Sequence, residues 1–161
     1  ESCGRKLMAD VCSALQIVSA AVWGVFAGAQ LAEGCLLVPY WQSLKPAEFH
    51  AWYATNDRRL VAFFGPLTIA VTLVPLALAV AATLSAHPVR GIATLCAAIG
   101  LAVIGGFFAY FKEANERFTA GSIPAANLPA ELARWARWHW VRTMLACVAF
   151  AAMLSSLRPV G

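Results

Sequence analysis

Apolar residues fall into four runs along the chain, Val11–Ala32, Leu60–Leu84, Gly91–Phe111 and Val141–Leu157. A hydrocarbon layer about 30 Å thick needs roughly 20 helical residues to cross it. The first three runs reach that length alone. The fourth reaches it when Trp138, His139 and Trp140 are counted at its interfacial end, so the predicted spans are about 11–32, 60–84, 91–111 and 138–157. Backbone amides in lipid must be satisfied within the segment, and runs of this length therefore predict helices. The expected fold is all-α, a four-span integral membrane bundle in one domain covering residues 1–161.

The connections between the runs are unequal. "SAHPVRG" between the second and third is short and predicts an antiparallel hairpin. The other two links, about residues 33–59 and 112–137, are long and hold most of the charge. An even number of spans puts both long links on one face of the membrane, with the hairpin turn and both termini on the other. In the first link, "KPAEFHAWYATNDRRL" predicts a short interfacial helix, with Pro46 at its start and Phe49, Trp52 and Tyr53 at helical spacing. In the second, the Gly- and Pro-containing "TAGSIPAANLPAE" breaks the chain before a helix that runs from Pro129 into the fourth span. Pro66 and Pro75 predict kinks in the second span. Gly24 and Gly28 in the first span, and Gly100, Gly105 and Gly106 in the third, predict close helix approach.

Composition agrees with a bilayer as the solvent. The 161 residues are 61% hydrophobic and only 12% charged, with a mean hydropathy of +0.70, against about 25% charged in a soluble domain. The net charge of +4 comes from Lys and Arg set beside apolar runs. That placement suits topology signals and headgroup anchors, and no nucleic-acid motif accompanies it. The long-link face carries Lys45, Arg58, Arg59, Lys112, Arg117, Arg134, Arg137 and Arg142, the opposite face Arg5, Lys6, Arg90 and Arg158. This bias points the long links to the cytoplasm. The first run is too long for a signal-peptide core and reads as a retained helix. Of Cys3, Cys12, Cys35, Cys96 and Cys147, none forms a CxxC pair. They read as small buried hydrophobes rather than as a disulfide framework.

Candidate chemistry gathers on the long-link face. Gln16, Gln30 and Glu33 share one stripe of the first span. Glu113 and Glu116 lie one turn apart at the end of the third, beside Asn115, and predict either a solvated cap or a polar cluster at the mouth of the bundle. In "ARWARWHWVRT", Trp135, His139 and Arg142 form one face, whereas Arg134, Arg137 and Trp140 are displaced toward headgroups. Trp138 and Arg142 have the spacing of a stacked pair. His50 and His139 share the long-link face, while His87 belongs to the short turn. With Glu33 and Glu113 they are candidate ligands for a transition metal or haem. A metal-free acid–base site using His139 or His50 is the alternative.

The end of the third span, "EANERF", and the later "LARWARWHWVRTMLACVAFAAML" resemble the anthrone oxygenase-like family of small bacterial membrane proteins. The resemblance extends to "FAGAQLAEGCLLVPYW", a small-residue first span ending at Pro39, and so covers most of the chain. It maps the family's Asn and its Trp, His and Arg onto Asn115, Trp135, His139 and Arg142. It implies a four-span membrane oxidoreductase, an oxygenase of hydrophobic or aromatic substrates, in a bacterial cytoplasmic membrane. The expected catalytic residues are then His139, Asn115, Arg142 and Glu113, with Trp135, Trp138 and Trp52 against the substrate. Membrane lipid and a hydrophobic small molecule are the expected partners, with a homo-oligomer or larger membrane complex as a further one. A non-catalytic subunit of such a complex is the rival reading. A small transporter using the Gln16–Gln30–Glu33 stripe is a third.

Overall fold

A computed structural model describes residues 2–157, with the side chains of Ser2, Cys3 and Arg5 outside the description. The chain is all-helical and forms four antiparallel rods. The first consists of α1 (Ser2–Ala32), a π-helical turn at Glu33–Leu37 and α2 (Val38–Ser43). The second is the single helix α3 (Pro46–Leu84). The third comprises α4 (Arg90–Gly106), a second π-helical turn at Phe107–Phe111 and α5 (Lys112–Thr119). The fourth is α6 (Leu128–Ser156). Each rod packs on two others, in the cyclic order α1, α3, α4, α6.

The first three rods are long and apolar enough to cross a membrane. The apolar part of α6 is shorter, yet α6 packs antiparallel to α1 within the same ring and turns Val141, Met144, Val148 and Leu154 outward. An apolar outer stripe at that level is matched by Val61, Ile69, Leu73 and Val80 on α3. Lipid on the outside accounts for both.

The short interfacial helix expected between the first two spans is not a separate element. Residues 46–59 are the opening turns of α3, which runs unbroken for 39 residues, about 58 Å. Pro46 sits in the first turn, and the Glu48 carboxylate accepts from the Lys45 amide at 3.0 Å. Nothing in "AEFHAWYATNDRRL" stops a helix thereafter. Pro66 and Pro75 also lie inside α3 without ending it. The long links are therefore mostly helix, and they raise a head above the apolar runs. Charged residues such as Arg58, Glu113 and Arg134 are exposed on that head.

The fold's irregular stretch comes after α5. Gly121 takes a left-handed φ of 62°, the conformation glycine tolerates best. His50 Nδ1 donates to the carbonyl of Phe118 at 3.0 Å and ties this corner to α3. In the opposite half, Gly100 fits directly against α3: a Cβ there would run into the Val71 carbonyl oxygen. Thr72 Oγ1 donates to the Gly100 carbonyl at 3.2 Å across the same contact. Gly24 makes a similar approach, to the Phe150 ring. Gly28, Gly105 and Gly106 have no such neighbour, so close packing rests on a subset of the glycines that suggested it. Cys12 and Cys96 are buried thiols, whereas Cys35 is exposed, and all four described cysteines are free. Cys3 lies outside the described side chains, as do Arg5 and Arg158.

Candidate functional site

One turn beyond the Gly100 contact, a cavity of about 290 Å³ lies between α3 and the third rod. Its walls are Leu60, Phe64, Ile69, Ile104, Phe107 and Phe108. Val61, Ile69 and Phe108 are also more than half exposed on the outer, lipid-level surface, so the cavity's mouth is apolar. Its inner end is polar, formed by Glu33 from the first π turn, Tyr53 and Asp57 from α3, Asn115 from α5, and Trp135 and Arg142 from α6. An apolar pocket with a few convergent polar groups is the usual form of a small-molecule site. Both π turns border it, and such turns recur at functional sites because the extra residue re-aims side chains.

The polar end is built around Arg142. Its Nη2 donates to Glu33 Oε2 at 3.4 Å and to His139 Nδ1 at 3.1 Å. Its guanidinium carbon lies 4.3 Å from the centre of the Phe111 ring. Its Nε has no partner among the described residues. The Arg142 contact fixes the histidine tautomer. Nδ1 can accept from a guanidinium only through a free lone pair, so the ring proton is on Nε2. That nitrogen donates to the Gln30 carbonyl at 2.9 Å. His139 is fully buried and stacked on Trp135, with ring centres 5.1 Å apart and planes 9° from parallel. Trp135 Nε1 in turn donates to Asn115 Oδ1 at 3.0 Å.

These contacts bring Glu33, Asn115, Trp135, His139 and Arg142 together, and they redistribute the roles expected from sequence. His139 does not line the cavity, and both its nitrogens are engaged, so it orients Arg142 from behind. Glu113 and Glu116 are exposed, with Phe111, Ala114 and Phe118 taking the inward face of the third rod. Of the two readings for these carboxylates, the solvated cap holds and the polar cluster at the mouth does not. Trp138 is also turned outward, 47% exposed and tilted against Tyr110, so the partner of Arg142 is Phe111. Trp52 packs on Trp41 and Tyr40 in the head and does not line the cavity. Arg134, Arg137 and Trp140 are exposed, as the displaced part of that helix requires.

Of the four candidate metal ligands only Glu33 and His139 meet, with Glu33 Oε2 3.5 Å from His139 Nδ1. His50 is committed to Phe118, Glu113 is exposed, and both nitrogens of His139 are taken. No three His, Cys, Asp or Glu side chains gather closely enough to hold an ion among the described residues. The residues present do not fit a metal or haem held by that set. Gln16, Gln30 and Glu33 are all buried on one stripe. Gln16, however, donates to Ser156 at the end of α6, and Trp23 and Phe26 fill the space between.

Tyr53 and Asp57 are not among the residues that the sequence singles out for chemistry. They lie four residues apart, one turn of helix, and Leu60, Val61 and Phe64 continue the same face. Recognising α3 as continuous through residue 60 is the signal that would have found them. No family model, curated protein or solved structure matches this chain. The resemblance to the anthrone oxygenase-like family therefore rests on the sequence stretches that suggested it, Asn115, Trp135, His139 and Arg142 among them.

Proposed function

We propose that this protein is an oxidoreductase of the bacterial cytoplasmic membrane, an oxygenase acting on a hydrophobic aromatic molecule that enters from the bilayer. What carries the reading is one cavity that joins aromatic walls, open at lipid level, to a carboxylate, a guanidinium and an amide. An aromatic ketone with an acidic methylene fits this gradient. Its rings lie among Phe64, Phe107 and Trp135, and its oxygen points to Arg142 and Asn115. The Glu33 carboxylate takes a proton from the methylene, and the resulting charge delocalises onto the ketone oxygen. Fixed donors stabilise such an oxyanion more in a dry site than in water. Dioxygen is the co-substrate: the methylene exchanges two hydrogens for one oxygen atom, and the second oxygen leaves as water. His139 and Trp135 hold the guanidinium and the amide in place.

The test uses the protein in lipid nanodiscs, an anthrone as substrate, and oxygen uptake with quinone absorbance as readouts. Wild type should turn over, and Glu33→Gln should lose about a hundredfold or more, the usual worth of a general base. A wild type that neither binds nor oxidises the anthrone overturns the reading. Full activity in Glu33→Gln removes the assigned base.

A further inference from the structure

The cavity's charges do not balance, and this points to the class of molecule it takes. Two carboxylates line it, Glu33 and Asp57, against the single guanidinium of Arg142. That guanidinium is already shared between Glu33 at 3.4 Å and the face of Phe111. Asp57 has no Lys, Arg or His within 4.0 Å among the described residues, and its side chain makes no hydrogen bond there. The cations nearest in sequence, Arg58 and Arg59, are exposed on the outside of α3, and Lys112 is exposed on α5. Asp57 itself is half-buried on the cavity face, one turn from both Tyr53 and Val61.

We propose that the molecule bound in this cavity carries a positive charge, as an amine or a quaternary nitrogen, and that Asp57 receives it. The proposal rests on the reading of the cavity as a substrate site and adds the ligand's charge. A hydrophobic cation satisfies both halves of the lining. Its charge offsets a carboxylate that a neutral ligand leaves unpaired in a space from which it expels water. The rings of Tyr53, Phe64, Phe107, Phe108 and Trp135 line the same space, and the faces of aromatic rings attract organic cations. Arg142 and Asn115 remain free to hold an oxygen at the other side of the ligand.

The probe pair is tetraphenylphosphonium and its neutral isostere tetraphenylmethane, each titrated into wild type in nanodiscs of zwitterionic lipid. Quenching of tryptophan fluorescence that is lost in Trp135→Phe reports on the cavity rather than on the other five tryptophans. Wild type should bind the cation at least about tenfold tighter than the neutral probe, one well-placed charge pair's worth. Asp57→Asn should erase that preference, and Asp57→Glu should keep it. Equal affinity for the two probes in wild type, or an undiminished preference in Asp57→Asn, overturns the assignment while leaving the cavity a ligand site. Binding of neither probe overturns the assignment, and anthrone turnover in the same nanodiscs then decides separately whether the cavity is a substrate site. Elution and near-ultraviolet circular dichroism like wild type separate a lost preference in Asp57→Asn from lost folding.

Discussion

Inside the apolar half of the bundle alanine is the commonest core residue, eight of eighteen, with small and aliphatic side chains such as Cys12, Cys96, Val71, Leu78 and Met153 around Trp23 and Phe26. Inside the head it is mainly aromatic, with Trp41, Phe49, Tyr53, Phe111, Phe118 and Trp135 beside Val38, Ile123, Leu128, Leu132 and a single alanine. The two cores sit in the same four rods and differ in what surrounds them. In lipid, burying a large side chain gains little, because the alternative environment is equally apolar. Helices there gain more from close backbone approach over small residues. The head faces water and headgroups through its charged surface, so burial of aromatic area is again the main driving force. The polar layer of Gln30, Glu33, His139 and Arg142 lies where one regime gives way to the other. A site there can take an apolar molecule from lipid and still hold fixed charges.

The difference can be broken from the head first. Trp41 is fully buried and touches Phe49, Trp52, Tyr53 and Trp135 through edge and tilted ring contacts. Trp41→Ala should cost about 4 kcal/mol, as truncating a core tryptophan does. The measurement is reversible denaturation in detergent, and a loss under about 1 kcal/mol would mean that the head does not depend on aromatic burial.

The apolar half should fail for the opposite reason, by addition. Gly100→Val puts a side chain onto the α3 backbone, which cannot move aside as a flexible side chain could. Separation of α3 from α4 should cost about 2 to 3 kcal/mol. Gly105→Val, where no neighbour lies within 4 Å, should be near neutral. Equal losses at the two glycines would show that the cost is one of helix propensity rather than of contact.

The same contrast explains how much of the molecule is legible in its sequence. Run lengths and the short turn at His87–Pro88 are enough for four helices and an antiparallel hairpin, because hydrophobic length is a direct record of bilayer thickness. The record ends where the apolar run ends, so helix continuing into the head reads as a link, and the roles of Asp57 and Tyr53 are hidden with it. Trp135, His139 and Arg142 share a face as their spacing requires, since α6 is regular throughout. Glu113 and Glu116 come after the π turn at Phe107–Phe111. An inserted residue there rotates the remainder of the rod by about 100° relative to a regular helix, and the spacing of the two carboxylates says nothing about that rotation. The tautomer of His139, which decides its role, is set by Arg142 one turn away together with the Gln30 carbonyl 109 residues away.

The smallest change addresses the seam itself. Gly34 faces His139, and a Cβ there would lie 2.9 Å from Nε2 and 3.0 Å from the Trp140 ring. Gly34→Ala should push the imidazole off the Gln30 carbonyl, at about 1 kcal/mol for one strained buried hydrogen bond. The helix gains back part of this, since alanine favours helix over glycine by a similar amount, so global stability should hardly move. The site should respond more. A displaced His139 no longer offers Nδ1 to Arg142 at the same angle, and Arg142 loses one of the contacts that aim it at the cavity. Ligand affinity in Gly34→Ala should therefore fall severalfold at nearly unchanged stability. An equal fall in both would assign His139 to the packing of the two cores, and no fall in affinity would show that Glu33 and Phe111 orient Arg142 without it.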